Sequence, residues 1–132
     1  MNQSQRIMES FRRGDNRSRS SAWTKRIAER LKRFALRHGL DADFTSSAWG
    51  SQYLTVEAVA VDDDSMIQWT ESLTIRIANH VWTGSGMTDP DVDVHNETPE
   101  SAREGPKRAE KAIKELAAKM DRVLKKNPDW KP

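Results

Sequence analysis

Four arginines spaced along one side of a helix carry the strongest chemical signal in this chain. Arg26, Arg30, Arg33 and Arg37 fall at i, i+4, i+7 and i+11. At 3.6 residues per turn these four lie within roughly 60° of one another. Guanidinium groups presented along one face suit a phosphate backbone, which they contact bidentately and by charge. The same pattern also serves a solvated helix face. Lys107, Arg108 and Lys111 open a later helical stretch and extend the basic set. Arg12, Arg13, Arg17 and Arg19 lie in an Arg- and Ser-rich start, expected to be a flexible arm.

Two further groups have chemically useful types. Tyr53 and Arg76 fall on the polar face of a predicted hairpin, where an aromatic ring and a guanidinium can stack on bases and hold phosphates. Asp91, Asp93 and His95 alternate, so a strand places them on one face. Carboxylates with an imidazole suit a divalent metal and hence a metal-dependent nuclease, with His80 as a further candidate. The same acidic run also suits protection of a strand edge. No nucleophile motif, Gly-rich phosphate loop or zinc spacing is present. The expectation is therefore a protein that is not an enzyme and holds neither cofactor nor metal.

The elements that must position these residues are readable from periodicity. Residues 21–38 read as a helix, with Trp23, Ile27, Leu31 and Phe34 on its apolar face and Gly39 as its stop. Residues 51–61 and 66–79 read as the two strands of a hairpin around Asp62-Asp63-Asp64-Ser65. A two-residue loop at Asp63-Asp64 pairs Leu54 with Leu73 and sorts apolar residues to one face. A slip of two residues preserves that sorting. Glu71 is the exception on the apolar face, and a bulge or fray is expected near it. Residues 91–95 read as a short third strand. Thr98-Pro99-Glu100 signals a helix start, and Gly105-Pro106 marks a restart or a kink. Beyond it Ala109, Ile113, Leu116, Met120 and Val123 share a face, and Asn127-Pro128 ends the helix.

The reading is an α+β fold of order α-β-β-β-α, a small antiparallel sheet with both helices on one face. It divides into an arm at 1–20, one domain at 21–128 and a tail at 129–132. The whole chain of 132 residues suits one domain, and its lack of cysteine fits a reducing, cytoplasmic setting. No apolar run is long enough to span a bilayer, so no membrane partner is expected.

Charge is strongly blocked. Residues 1–39 carry 11 basic and 3 acidic side chains, residues 40–104 carry 2 and 13, and residues 105–132 carry 9 and 4. Basic ends around an acidic middle point either to a polyanion partner or to mutual neutralisation within the fold.

Two resemblances accompany this reading. The α-β-β-β-α order, with Gly105-Pro106-Lys107-Arg108-Ala109-Glu110-Lys111, resembles the double-stranded-RNA-binding domain, whose second helix begins Gly-x-Lys-Lys-x-Ala-Lys. That resemblance implies phosphate contacts from Lys107, Arg108 and Lys111. Glu110 stands where the family has a buried Ala, and the Asp62-Asp63-Asp64 loop would repel a phosphate. Ser51-x-Tyr53 with Ile75-Arg76-Ile77-x-Asn79-His80 resembles a core found in small uncharacterised phage and bacterial proteins. The functional expectation is a nucleic-acid-binding accessory or regulatory protein acting through Arg26, Arg30, Arg33, Arg37, Arg76, Tyr53, Lys107, Arg108 and Lys111. The alternative is a small phage-type inhibitor that binds a host protein complex (anti-CRISPR-like or host-takeover). It would use an acidic surface with Trp49, Trp82 and Trp130 as anchors. An exposed sheet face also leaves room for a homodimer.

Overall fold

A computed structural model describes residues 22–47, 50–84 and 89–132. The chain forms helix α1 (22–37), strands β1 (Asp41–Ser46), β2 (Gln52–Val61), β3 (Ile67–Ile77) and β4 (Val92–Val94), and helix α2 (Pro99–Lys126). The fold is α+β, with helices packed against one sheet of strand order β1-β2-β3-β4.

One face of the sheet is apolar. Leu54, Val56, Ala58 and Ala60 of β2 and Ile75 and Ile77 of β3 are fully buried beneath the helices. Alternate residues such as Thr55, Glu57, Thr70 and Ser72 are exposed on the other face. This is the period-two sorting of an antiparallel sheet covered on one side. The observed register is the two-residue slip of the one first read: Val56 faces Leu73 and Ala60 faces Trp69. The turn explains the shift. Asp62 to Met66 makes a longer loop, with Ser65 at φ 61° and Asp62 accepting the backbone N–H groups of Asp64 and Met66. A register irregularity between Ala60 and Val61 accompanies it. Glu71 needs no bulge beside it. It lies in a regular stretch opposite Ala58 and accepts a hydrogen bond from Lys119 of α2 at 3.0 Å.

Two strand assignments change. β1 was not foreseen; it pairs antiparallel with β2 and places Ala42 opposite Val56 and Phe44 opposite Leu54. Its Asp41 and Asp43 are poor strand formers, which hid a two-apolar alternation. β4 lies parallel to β3, with Val92 beside Ile75 and Val94 beside Ile77. The sheet is therefore mixed rather than antiparallel.

α1 ends at Gly39, whose φ of 79° permits a left-handed cap. Leu40 N–H reaches Ala35 O and Gly39 N–H reaches Leu36 O, the paired bonds of a Schellman motif. The helix is rotated from the expected orientation. Thr24, Ala28, Leu31 and Ala35 are buried, while Trp23, Ile27 and Phe34 are half-buried on the flank. Small side chains at 24, 28 and 35 let the backbone approach the sheet, and the large ones fill the side of the helix.

α2 runs unbroken through Gly105 and Pro106, both buried. At Gly105 a Cβ would come within 3.1 Å of Val94, so glycine allows the helix to lie close on β4. Thr98 caps the N-terminus in a reciprocal bond with Ser101, and Pro99 occupies the first turn. Asn127 closes the far end, its side chain donating to Val123 O at 2.9 Å. The tail is tied down: Val61 and Lys131 exchange backbone hydrogen bonds of 2.8 and 2.9 Å.

Two outcomes are expected. Leu31→Ala removes a fully buried side chain at the centre of the α1 contact, and a loss of about 2–5 kcal/mol should appear in urea unfolding. The hydrogen bond from Met66 N–H, helped by Gln68 and Asp64, holds the Asp62 carboxyl below its usual 3.8. Its stabilising contribution is present above that value and fades as pH falls through the lowered folded value. Asp62→Asn should flatten the acid limb of the stability–pH curve, and an unchanged limb would refute the role of the turn.

Candidate nucleic-acid interface

The two helices lie side by side and run the same way. Arg30 of α1 donates to Glu110 of α2 at 2.7 Å. One turn further on, the Lys114 ammonium lies 5.7 Å from the Phe34 ring centroid. Both contacts advance by four residues along each helix, so the helices are parallel and in step. The flank of Trp23, Ile27, Arg30 and Phe34 therefore faces α2, and the opposite flank faces β1, where Lys32 reaches Asp43 at 3.4 Å.

This geometry merges two basic sets into one outer surface. Arg26, Arg33 and Arg37 of α1 are exposed, as are Lys107, Lys111 and Lys114 of α2. Phe34 forms an aromatic floor in the seam, with Arg37 6.0 Å and Lys114 5.7 Å from its centroid. His38 stacks on the same ring at 4.4 Å and hydrogen-bonds Phe34 O through Nδ1. Among the described residues Arg26, Arg33 and Lys111 enter no ion pair. Arg30 and Lys107 are paired on the surface with Glu110 and Glu104, contacts worth about 0–1 kcal/mol that yield readily to a phosphate.

Mutual neutralisation of the charge blocks is slight. Among the described residues, Lys32–Asp43, Lys119–Glu71 and the neighbouring pair Lys107–Glu104 are the three that join a terminal-block cation to an acid of the middle. The blocks are instead segregated: cations on the helix layer, Asp41, Asp43 and Glu57 on the uncovered sheet face.

Arg76 does not stand on an open face. It is only 4% exposed, because residues 78–82 and Asp93 close over it. Nη1 contacts Asp93 Oδ1 at 3.3 Å and His80 O at 3.4 Å, and Nη2 contacts His80 Nε2 at 3.1 Å and Ser51 Oγ at 3.4 Å. The Trp82 ring covers the guanidinium at 4.9 Å. Asp93 also accepts Trp82 N–H at 2.6 Å, and its backbone carbonyl accepts from Arg108. Arg76 and Arg108 are thus tied into the fold. Tyr53, the cross-strand neighbour of Arg76, is half-buried.

The remaining candidates separate similarly. Asp91 accepts Thr74 N–H at 2.8 Å and Asp93 is held by Arg76. No group of three or more His, Asp or Glu among the described residues is placed to hold a metal. Trp82 is half-buried against Arg76 and Trp130 is half-buried in the tail, while Trp49 lies outside the described residues. The arm with Arg12, Arg13, Arg17 and Arg19 also lies outside them. None of the described helices is long and apolar enough to cross a membrane.

Sequence reasoning missed Lys114, whose spacing from Lys107 and Lys111 was legible, and the seam at Phe34, which needed the helix rotation. No family model, curated protein or solved structure matches this chain.

The Arg76 cluster yields a stability test. Arg76→Leu leaves Asp93 enclosed without its cation, and a loss of about 3 kcal/mol in urea unfolding is expected. A loss under about 1 kcal/mol, typical of an exposed pair, would show that the cluster contributes little.

Proposed function

We propose that this protein binds nucleic acid without acting on it chemically, by gripping the phosphate backbone on its two-helix surface. The observation that carries the reading is the parallel, in-step packing of α1 and α2. It brings Arg26, Arg30, Arg33 and Arg37 alongside Lys107, Lys111 and Lys114 on one exposed surface.

The chemistry of that surface favours backbone contact over base reading. Arg33 and Lys111 are exposed and enter no ion pair among the described residues. From Arg26 to Arg37 the stripe extends about 16 Å along the axis, at 1.5 Å per residue. That length suits several successive phosphates. Of the rings on the flank facing α2, Trp23 is half-buried and Phe34 is already flanked by Arg37, His38 and Lys114. A stacking platform for splayed bases needs open aromatic faces, so affinity here is electrostatic. Little sequence preference and a steep salt dependence follow. Accessory or regulatory roles fit a binder of this kind.

The test is fluorescence anisotropy with labelled single-stranded DNA, duplex DNA and duplex RNA over a range of salt. With about four phosphate contacts, log K on duplex DNA should fall against log salt with a slope of about −3.6. Arg33→Ala with Lys111→Ala should weaken binding and make the slope shallower by about 2. Thr70→Ala with Ser72→Ala, on the opposite face, should change neither. Absence of binding to all three probes at low salt would reduce the basic surface to a solvated helix layer.

A further inference from the structure

The uncovered sheet face carries a second, oppositely charged surface. A groove of about 270 Å³ runs where α1 meets β1 and β2, lined by Leu36, Asp41, Ala42, Asp43, Thr55 and Glu57. Leu36 is 49% exposed, a large apolar side chain left open beside three carboxylates. β1 and β2 contain no lysine or arginine. Lys32 is the one described cation that reaches the groove, through Asp43, and Asp41 and Glu57 have no ion pair among the described residues.

β1 is also an edge strand. Ser47 N–H bonds Ser51 O, and the ladder continues this alternation through the pairs 45–53, 43–55 and 41–57. The N–H of Phe44 therefore points off the sheet, where the Asp43 carboxylate accepts it at 2.9 Å. With that group taken, the edge is poorly suited to adding a regular strand. A second copy docked edge to edge would also set aspartates against aspartates. The surface instead fits an extended, cationic segment with a few apolar side chains.

The chain contains such a segment. We infer that residues 1–21 dock on this groove of the same molecule, arginines against Asp41, Asp43 and Glu57, and apolar side chains against Leu36. The segment holds Arg6, Arg12, Arg13, Arg17 and Arg19 against Glu9 and Asp15, with Ile7, Met8 and Phe11 as its large apolar residues. Its length suffices. The groove lies near Leu36, about 21 Å along α1 from residue 22, whereas 21 extended residues reach about 70 Å. The inference stands apart from the nucleic-acid reading, since the carboxylates it rests on, Asp41, Asp43 and Glu57, lie on the strands and not on the helix surface.

The natural absence of cysteine allows a clean test on the full chain. Ser10→Cys carrying a nitroxide label should broaden the amide signals of Asp41, Asp43, Thr55 and Glu57 more than those of Lys111 and Lys114. The excess should vanish in an Asp41→Asn, Asp43→Asn, Glu57→Gln background. It should also vanish on raising salt from about 50 mM to about 1 M, where the screening length falls to about 3 Å. No selective broadening would overturn the inference. So would broadening in a mixture of labelled chain with a cysteine-free, nitrogen-15 chain, which would assign the contact to a second copy.

Discussion

A sheet that hides only one of its faces decides the layout of this molecule. Each large apolar side chain buried on that face is worth about 1.5–3 kcal/mol, and Leu54, Val56, Ile75, Ile77 and Val94 are all fully buried. An exposed ion pair is worth about 0–1 kcal/mol. The apolar face therefore places both helices, and charge follows wherever the helices go. Because α1 and α2 must both lie on the same side, their outward cations share a surface. Because β1 and β2 show their other side to solvent, Asp41, Asp43 and Glu57 collect opposite.

The features legible in the sequence were those fixed by local periodicity. Alternation in β2 and β3 identified the buried face, Gly39 marked the α1 stop, and Thr98-Pro99 marked the α2 start. What escaped was set by tertiary contact. Side-chain sorting is unchanged by a two-residue slip, so only the turn, with Ser65 at φ 61°, could choose the register. β1 gains its place from Ala42 and Phe44 closing over the core, against the weak propensity of its aspartates. The rotation of α1 reflects neighbours on two sides: small residues meet the sheet, and Trp23, Ile27 and Phe34 meet the α2 flank. At Gly105-Pro106 two helix-weakening residues are tolerated because the helix there lies close on Val94.

Arg76 shows the limit most sharply. Its position on the polar side of β3 is as alternation requires, yet it is among the most enclosed charges in the fold. Residues 78–82 turn back over it, Trp82 covers it and Asp93 of the neighbouring parallel strand faces it. β4 has only three residues and few backbone bonds of its own. The Arg76–Asp93 contact, with Arg108 of α2 reaching the Asp93 carbonyl, secures that short strand from both sides. A residue whose type suggested ligand binding is thereby a fastener, and the enclosure that makes it so depends on a segment 17 residues away along the chain.

Segregated charge also gives the molecule a direction. With the net charge at only +2, long-range attraction to a polyanion would be slight if the charges were mixed. Separated onto opposite faces, they present a cationic helix layer on one side and an anionic sheet on the other. Beyond a screening length of about 8 Å at physiological salt the two fields fade, so orientation is imposed at close approach rather than from afar. On the proposed reading, a polyanion would be disfavoured at the carboxylates of the sheet and would meet seven basic residues spread over the two helices. The separation of the two charged surfaces is itself a consequence of which side of the sheet is apolar.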